Sequence, residues 1–340
     1  MESISRKPED LLKLADLHPE LAAWLQAHPF PAPPQDLVGL RAVYEKLNQR
    51  YVGAITRDQD TDITIENRTI LARDGYDIPI RIYRAPSSTE PGPLIVAIHG
   101  GAKLMGTLTD EEGHCRLFAE EFNATCINIG YRLSPEYKTP TMVYDCWDVV
   151  KWAAEHADEI GSDPKKGFIV YGSSSGGQIA DIIGHFSLEE KLEPPVTGLI
   201  EICTSSCQYD VIPKEYKDEF LSWDQDIKGG LGRDTLIRFY HLTGAADDPS
   251  NRLNSPLLWP GGHKGLAPVF FQVHGRDFTR DTALIYERVL KEQGVETKLK
   301  IYPGAPHGFN TIFFETELAK QHEKDTADGI RWLLGLVTGN

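Results

Sequence analysis

The chain has 340 residues, of which 41% are apolar and 25% charged, a composition typical of a folded globular protein with a sizeable core. Asp and Glu number 50 against 35 Lys and Arg, which gives a net charge of −15. Because such a surface repels phosphate backbones and anionic lipid, the composition argues against nucleic-acid binding and against binding at a membrane surface.

The first sixty residues are predicted to be helical. Five apolar side chains recur every three or four residues, the spacing of one face of a single helix: Leu11, Leu14, Leu17, Leu21 and Trp24. The segment HPFPAPP, residues 28–34, must end that helix, because proline lacks the amide proton and clashes with the preceding turn. A second helix is expected behind Asp36, which is a plausible cap.

A hairpin and a series of apolar runs follow. Residues 63–73 and 78–85 are predicted strands, joined by a turn at Asp74-Gly75. Six further runs lie at residues 94–98, 125–130, 167–172, 197–203, 268–275 and 297–304, and helical patterns such as 142–157 and 282–294 separate most of them. Apolar strands that alternate with helices predict an α/β fold with a mostly parallel sheet, helices on both faces, and the hairpin as an antiparallel edge.

Residues 204–260 interrupt this alternation. The interval is long, polar and rich in aromatic residues, and it contains no clear strand pattern. We expect an insertion that lies over the carboxyl ends of the strands.

The cysteines do not form the pattern of a disulfide framework, because five is an odd number in a long chain. Only Cys203 and Cys207 are close in sequence, and there is no CxxC motif or second pair to complete a zinc site. We expect buried free thiols and no metal.

The opening residues are too charged for a secretory signal and no apolar run approaches membrane-spanning length, so a cytoplasmic location is expected.

The stretch YGSSSGGQIA, residues 171–180, lies between an apolar strand and a helical pattern. The motif G-x-S-x-G fits it in only one register, from Gly172 to Gly176, with Ser174 at the centre. A sharp turn from strand to helix exposes the central hydroxyl above the sheet edge. Ser174 is therefore the candidate nucleophile, and a glycine-serine loop without a chemical role is the alternative.

A serine hydroxyl needs a histidine to take its proton and a carboxylate to orient that histidine. On a sheet of this type the partners follow in the order serine, acid, histidine, each in a loop after a later strand. Asp277 and His307 meet both conditions. Asp281 is the strongest competitor for Asp277, but it lies at the start of a predicted helix, where a carboxylate caps exposed amides. His274 and His322 suit ordinary core or surface roles.

Backbone amides are expected to stabilise negative charge on a substrate carbonyl oxygen. The strand LIVAI leads into the strip from His99 to Ala102, whose glycines allow close approach of the backbone to a substrate. Such a strip can direct amides at the oxygen, together with the amide of Ser175 after the nucleophile. A plain glycine turn is the alternative.

Five segments in order resemble the hormone-sensitive-lipase branch of the α/β-hydrolases, whose members carry motifs similar to HGGG, YRLAPE, GDSAGG, DPLRD and HGF. The matching segments here are HGGA (99–102), YRLSPE (131–136), GSSSGG (172–177), DFTRD (277–281) and HGF (307–309). The resemblance covers roughly residues 60–335. It implies an N-terminal cap segment at 1–60, a catalytic domain at 61–203 and 256–340, and a cap insertion at 204–255.

The resemblance also implies roles for single residues. Ser174 would be the nucleophile, His307 the base and Asp277 its orienting partner. The oxyanion hole would consist of the amides of Gly101, Ala102 and Ser175. No metal or organic cofactor is implied.

Three positions depart from the family pattern. Ala102 replaces the third glycine of the strip, Lys103 stands where the family usually has an aromatic residue, and Ser173 replaces the aspartate beside the nucleophile. None removes a catalytic atom. We expect Lys103 and Ser173 to contact the substrate and to favour a particular, anionic one over generic short esters.

The function expected first is a serine hydrolase that cleaves carboxylic esters of a small or medium acyl substrate through an acyl-enzyme. A biosynthetic acyl-transfer, thioesterase or lactone-forming enzyme with the same triad is the alternative, and a ligand-binding protein on this scaffold is the third hypothesis. The expected partner is a small-molecule ester or thioester, and a homodimer is one option for assembly.

Aromatic residues of the cap either line the pocket or pack inside the cap: Trp24, Phe30, Tyr209, Phe220 and Trp223.

Overall fold

The structure is a computed structural model that describes residues 7–29, 34–56, 63–85, 90–225 and 232–335. Its strands are β1 Thr64–Leu71, β2 Asp77–Arg84, β3 Leu94–Ile98, β4 Thr125–Ile129, β5 Phe168–Ser173, β6 Gly198–Ile202, β7 Val269–Arg276 and β8 Thr297–Pro306. Its α-helices are α1 Pro8–Lys13, α2 Pro19–Ala27, α3 Leu37–Ile55, α4 Glu112–Phe122, α5 Thr141–Glu155, α6 Ser175–Glu189, α7 Arg233–Thr243, α8 Arg280–Glu292, α9 Phe309–Ile312 and α10 Glu317–Leu333.

The strands form one sheet in the order β1-β2-β4-β3-β5-β6-β7-β8. Strand β2 is antiparallel to both of its neighbours, β1 and β4, and the strands from β4 to β8 run parallel. The hairpin turns at Gly75, whose φ of +88° is one that glycine adopts without steric cost. The predicted α/β fold, with its antiparallel N-terminal edge, is confirmed.

Helices cover both faces of the sheet, and this explains why the central strands are almost continuously apolar. Successive side chains of a strand point to opposite faces. Leu94, Val96 and Ile98 of β3 belong to a core cluster with side chains of α5, α6 and α8. Ile95 and Ala97 belong to the cluster that contains α4 and α10. The core therefore consists of two layers, one on each side of the sheet.

The N-terminal prediction is right for one helix and wrong for the other. Asp36 caps α3 as expected, since its carboxylate accepts a hydrogen bond from the amide of Gly39 at 2.8 Å. The apolar pattern from Leu11 to Trp24, however, belongs to two helices, α1 and α2. Helix α1 ends at Lys13, and Pro19 begins α2, where its fixed φ is favourable.

The interval 204–260 contains no strand in its described part, but it includes α7 and short 3₁₀ turns. Phe239 of α7 packs on Leu104 and Met105, which follow the glycine strip after β3. Leu40 of α3 packs against the same cluster. Helices from two distant parts of the chain therefore cover one loop at the carboxyl edge of the sheet.

The segment that joins α1 to α2 lies against the carboxyl-terminal ends of β7 and β8. The amide of Gly304 donates to the carbonyl of Leu14 at 2.7 Å, and the amide of His18 donates to the carbonyl of Gly304 at 3.2 Å. Arg276, the last residue of β7, donates to the carbonyl of Ala15. Asp277 and His307 directly follow these strand ends, so the N-terminal segment braces the two loops that carry them.

All five cysteines are buried and free, as the sequence predicted. In the described ranges, no helix has both the length and the apolar character needed to span a bilayer.

Gly304→Ala should uncouple the N-terminal segment from these loops. Gly304 has a φ of +73°, and an added Cβ would lie 2.3 Å from the Asp16 carbonyl oxygen and 2.3 Å from the His18 nitrogen. Gly294→Ala is the matched control, because Gly294 has a φ of +81° with no atom within 4 Å of the added Cβ. We expect the control to lose about 1 kcal/mol of unfolding free energy through backbone strain alone.

Gly304→Ala should lose about 1–3 kcal/mol more, since the clash adds to the same strain. Chemical denaturation of both variants measures the difference. Equal losses in the two variants would show that the contact contributes nothing to stability.

Candidate active site

The turn between β5 and α6 holds Ser174 in a strained conformation. Ser174 has a φ of +54° and a ψ of −118°, and its amide donates to the carbonyl of Ile202 at 2.7 Å. The flanking glycines are required sterically. A Cβ on Gly172 would lie 2.2 Å from the carbonyl oxygen of Gly176, and one on Gly176 would lie 2.1 Å from that of Ile98. This is the geometry of a strand-to-helix turn that exposes a serine hydroxyl.

The three predicted catalytic side chains lie in one hydrogen-bonded line. Ser174 Oγ is 2.8 Å from His307 Nε2, and His307 Nδ1 is 2.7 Å from Asp277 Oδ2. Asp277 also accepts from the amide of Thr279 at 3.0 Å and from its hydroxyl at 2.9 Å. The ring of Phe278 stacks on that of His307 at a centroid distance of 5.1 Å. The geometry suits transfer of the serine proton to a histidine that a buried carboxylate orients.

The competing residues lie elsewhere. Asp281 pairs with Arg280 at 2.6 Å and accepts from the amide of Ser222 at 2.6 Å, so it joins α8 to the interval after β6. The sequence predicted a cap on the amides of its own helix, whereas the described contact is with this distant amide. His274 and His322 are buried together, with their Nε2 atoms 3.3 Å apart.

His307 is shifted toward its protonated form. Burial by itself lowers the pKa of His307, but the charge of Asp277, the neighbouring Cys203 and the hydrogen bonds to both outweigh that effect and raise the pKa well above its ordinary value. The carboxylate therefore favours the imidazolium that forms when the serine proton is taken.

The strip after β3 adopts three consecutive left-handed residues. Gly101, Ala102 and Lys103 have φ values of +102°, +57° and +61°. A Cβ on Gly101 would lie 2.3 Å from the carbonyl oxygen of Met105, so glycine is required there. Ala102 lies in the small left-handed region open to other residues, which explains how it replaces a glycine.

The strip and the serine turn are tied together. The amide of Lys103 donates to Ser175 Oγ at 3.2 Å. Within the described part of the chain, no acceptor is bonded to the amides of Gly101, Ala102 or Ser175. Three unbonded amides next to the nucleophile are the donor set that an oxyanion requires.

The YRLSPE segment supports the strip. The Tyr131 hydroxyl donates to the carbonyl of His99 at 2.9 Å, and the two rings stack at 4.1 Å. The amide of Ser134 donates to the carbonyl of Lys103 at 2.8 Å. Arg41 of α3 donates to the carbonyl of Ser134 at 2.7 Å, which links the strip to the N-terminal helices.

The two predicted substrate contacts both have protein partners. Lys103 is buried, its Nζ donates to Gln178 Oε1 at 2.7 Å, and burial lowers the pKa of Lys103 to about 8. Gln178 in turn donates to the carbonyl of Ser205 at 2.8 Å. The Ser173 hydroxyl donates to Glu111 Oε1 at 3.4 Å. Their predicted contact with substrate stays a prediction.

A buried charged network behind the serine turn was missed by the sequence analysis. His114 lies between Glu111 and Glu323, with 2.8 Å from Nδ1 to the first and 2.8 Å from Nε2 to the second. Burial lowers the pKa of His114, but the two carboxylates raise it to about 10, so the ring is charged. Glu111 places a carboxylate beside Ser173, where the family has aspartate. That substitution at Ser173 was the only available signal.

The aromatic residues of the cap pack mainly on each other. Tyr209 and Trp223 stack at 4.9 Å, and Phe220 contacts both rings. Trp24 packs in a separate cluster that contains side chains of α9. Phe30 lies outside the described residues. The contacts therefore favour packing inside the cap for Tyr209, Phe220 and Trp223, whereas Trp24 packs on α9.

One group of side chains has the donor atoms for a metal ion. Cys203 Sγ, a ring nitrogen of His307 and a carboxylate oxygen of Asp277 lie within 4.8 Å of one another, and this is the single such group of three or more in the described ranges. No metal was expected from the sequence, in which these three residues are far apart.

Comparisons with known proteins agree with the geometry. A family model described as alpha/beta hydrolase fold matches residues 95–311. An AB hydrolase superfamily protein of Schizosaccharomyces pombe is 30% identical over 329 residues, which are 96% of this chain and 96% of the relative. The versiconal hemiacetal acetate esterase of Dothistroma septosporum is 31% identical over 278 residues, 81% of this chain and 83% of that protein.

Solved structures extend the similarity to the whole fold. Vibralactone cyclase has a TM-score of 0.90 and 30% identity, covering 96% of this chain and 97% of its own. A bacterial heroin esterase has a TM-score of 0.80 and 25% identity, covering 94% and 98%.

Asp277→Asn should shift the pH at which Ser174 becomes reactive toward a fluorophosphonate. In the wild type the acid limb lies above the ordinary histidine pKa of about 6.5, because Asp277 stabilises the protonated ring. Without that charge the largest cause that raises the pKa of His307 is lost, so the half-maximal pH should fall while the maximal rate drops about 10⁴-fold.

The pH dependence of labelling measures both effects. Asp281→Asn is the control, since that carboxylate bonds to Arg280 and Ser222. An unchanged half-maximal pH in Asp277→Asn would contradict the assigned cause of the shift.

Proposed function

Because the chain belongs to the α/β-hydrolase family, in its hormone-sensitive-lipase-like branch, we propose that Ser174, His307 and Asp277 are the catalytic triad of this carboxylic ester hydrolase. The observation that carries the assignment is the hydrogen-bonded line itself, 2.8 Å from serine to histidine and 2.7 Å from histidine to aspartate. The substrate is a small-molecule ester, and we propose an acyl group of small or medium size.

The reaction begins when His307 Nε2 takes the proton of Ser174 and Oγ attacks the ester carbonyl carbon. The carbonyl oxygen becomes an oxyanion, which the amides of Gly101, Ala102 and Ser175 stabilise. The tetrahedral intermediate collapses, the C–O bond breaks, and His307 returns its proton to the departing alcohol.

The acyl-enzyme is then hydrolysed by the same groups. His307 takes a proton from water, and the hydroxide attacks the acyl carbon. The second tetrahedral intermediate releases the carboxylic acid, and the proton on His307 goes back to Ser174. Every proton in this sequence is carried by His307, so the chemistry needs no redox or organic cofactor.

We propose that Lys103 recognises an anionic group on the substrate. It follows the oxyanion strip directly, and its ammonium group has three protons, of which one bonds to Gln178. A carboxylate or phosphate-like oxygen would supply a partner for the buried charge, and buried charges are stable only when they are paired. We also propose that Ser173 contacts the substrate from the end of β5, where its hydroxyl donates to Glu111.

Lactone formation is the second candidate, and the similarity to vibralactone cyclase favours it. A substrate with its own hydroxyl near the acyl carbon would attack the acyl-enzyme in place of water. His307 would take that hydroxyl proton and return it to Ser174, and the ring product would leave. Product analysis in H₂¹⁸O separates the two, because hydrolysis places ¹⁸O in the acid and cyclisation places none in the lactone.

Three further expectations stay proposals. The boundaries 1–60, 61–203 with 256–340, and 204–255 are supported by the packing of α3 and α7 on one loop. A cytoplasmic location is supported by five free thiols, which persist in reducing compartments. A homodimer is tested by sedimentation velocity, where a single monomer boundary at all concentrations would reject it.

Ser174→Ala should abolish labelling by a fluorophosphonate and lower ester turnover by about 10⁴-fold or more, because the nucleophile is absent. Ser173→Ala and Ser175→Ala are matched controls from the same run of serines, and both should still be labelled. Intact-mass spectrometry checks the labelling. Labelling of Ser174→Ala, or its loss in Ser173→Ala with the fold intact, would refute the assignment.

Lys103→Met should lower the preference for an ester with a carboxylate on its acyl chain over the uncharged ester of equal length. We expect the ratio of their kcat/KM values to fall about 10- to 100-fold, because one charge-assisted hydrogen bond is lost. In the wild type this preference should also decline as pH rises through about 8, since Lys103 loses its charge there. The ratio of the two kcat/KM values removes effects of His307.

Lys138→Met, a change to an exposed lysine, is the control and should keep the preference. A wild-type ratio that is independent of pH and equal to that of Lys103→Met would exclude recognition by Lys103.

A further inference from the structure

We propose that Cys203, His307 and Asp277 bind a thiophilic divalent cation such as Zn²⁺, and that the bound ion inhibits the enzyme. The inference rests on the proposed function, because two of the three ligands are the base and the orienting carboxylate of the triad. Its basis is the placement of a thiol, an imidazole nitrogen and a carboxylate oxygen within 4.8 Å of one another.

Cys203 is held firmly beside the triad. It follows β6 and has a φ of +42°, which is unusual for a residue other than glycine. Its amide donates to the carbonyl of Gln272 at 2.9 Å, and its carbonyl accepts from the Thr279 hydroxyl at 3.2 Å. That same hydroxyl is bonded to Asp277, so the backbone of Cys203 and the carboxylate share one support.

The donor set matches the chemistry of zinc. Thiolate, imidazole and carboxylate bind Zn²⁺ at about 2.3, 2.0–2.1 and 2.0–2.2 Å, so tetrahedral ligand atoms lie roughly 3.3–3.7 Å apart. The three ligand atoms now lie within 4.8 Å of one another and would move into that range on binding. The bond of 2.7 Å between His307 and Asp277 would open, and water would supply the fourth ligand through the partly exposed face of His307.

Binding would remove the catalytic base whichever nitrogen coordinates. Through Nε2 the ion occupies the lone pair that takes the serine proton. Through Nδ1 the ion breaks the bond to Asp277, and the ring proton moves to Nε2, which then has no lone pair for Ser174. In both cases the thiol of Cys203 releases its proton to solvent as the sulfur–metal bond forms.

The other four thiols provide an internal comparison. Cys115, Cys126, Cys146 and Cys207 are buried and, over the ranges that the structure describes, belong to no three-ligand group. One site per chain is therefore expected, with Cys203 as its single sulfur ligand.

Titration of the full chain with Co²⁺ tests the site without reference to activity. We expect one equivalent of Co²⁺ to produce a near-ultraviolet thiolate-to-cobalt charge-transfer band. Added Zn²⁺ should remove the band by displacing Co²⁺. Cys203→Ser should abolish the band, and the matched variant Cys207→Ser should keep it. Absence of the band in the wild type would overturn the proposal and depends on no variant.

Inhibition is the second readout. Zn²⁺ should block fluorophosphonate labelling and ester turnover, and chelation by EDTA should restore both. Cys203→Ser should raise the inhibitory concentration of Zn²⁺ at least 10-fold, when each protein is compared with its own metal-free rate. Equal inhibition of Cys203→Ser would mean that the ion acts elsewhere and would overturn the proposal.

The two proposals fail separately. A chain that gives the cobalt band but has no ester turnover would reject the proposed function and keep the metal site. A chain with full turnover and no band would do the opposite. Cys203→Ala replaces Cys203→Ser if circular dichroism shows that the serine variant is unfolded.

Discussion

The parallel pairing of β5, β6, β7 and β8 is the constraint on which the site depends. Parallel neighbours end at the same edge of a sheet, so residues far apart in sequence meet there. Ser174 follows β5, Cys203 follows β6, Asp277 follows β7, and His307 follows β8. The positions of the proposed triad and of the thiol beside it thus follow from one strand order.

Electrostatics around the site are organised in two layers. Beside Ser174, the Asp277 carboxylate supports a protonated His307. Behind the serine turn, His114 carries a buried charge between two glutamates, a group in which loss of one partner would leave an uncompensated ion. Glu111 joins the layers through the Ser173 hydroxyl. A carboxylate beside the nucleophile is therefore retained, although it comes from another segment.

The N-terminal helices contact the segments that carry the proposed catalytic residues. Arg41 bonds to the carbonyl of Ser134, next to the oxyanion strip, and the segment after α1 bonds to the loops of Asp277 and His307. Leu40 and Phe239 bring α3 and α7 together over the same strip. The N-terminal helices thus contact both the strip after β3 and the strand ends that precede Asp277 and His307.

The sequence by itself determined what depends on local pattern: the strands, the serine turn, the cap of α3 by Asp36, and the order of serine, acid and histidine. It was wrong where one apolar period ran through two helices, because Leu14 and Leu17 keep the apolar spacing although they lie between α1 and α2. Only the tertiary structure decided that His114 lies between two glutamates and that Cys203 lies beside His307. Those groups come from separate segments, and a local pattern carries no information about which distant side chains strand order and helix packing bring together.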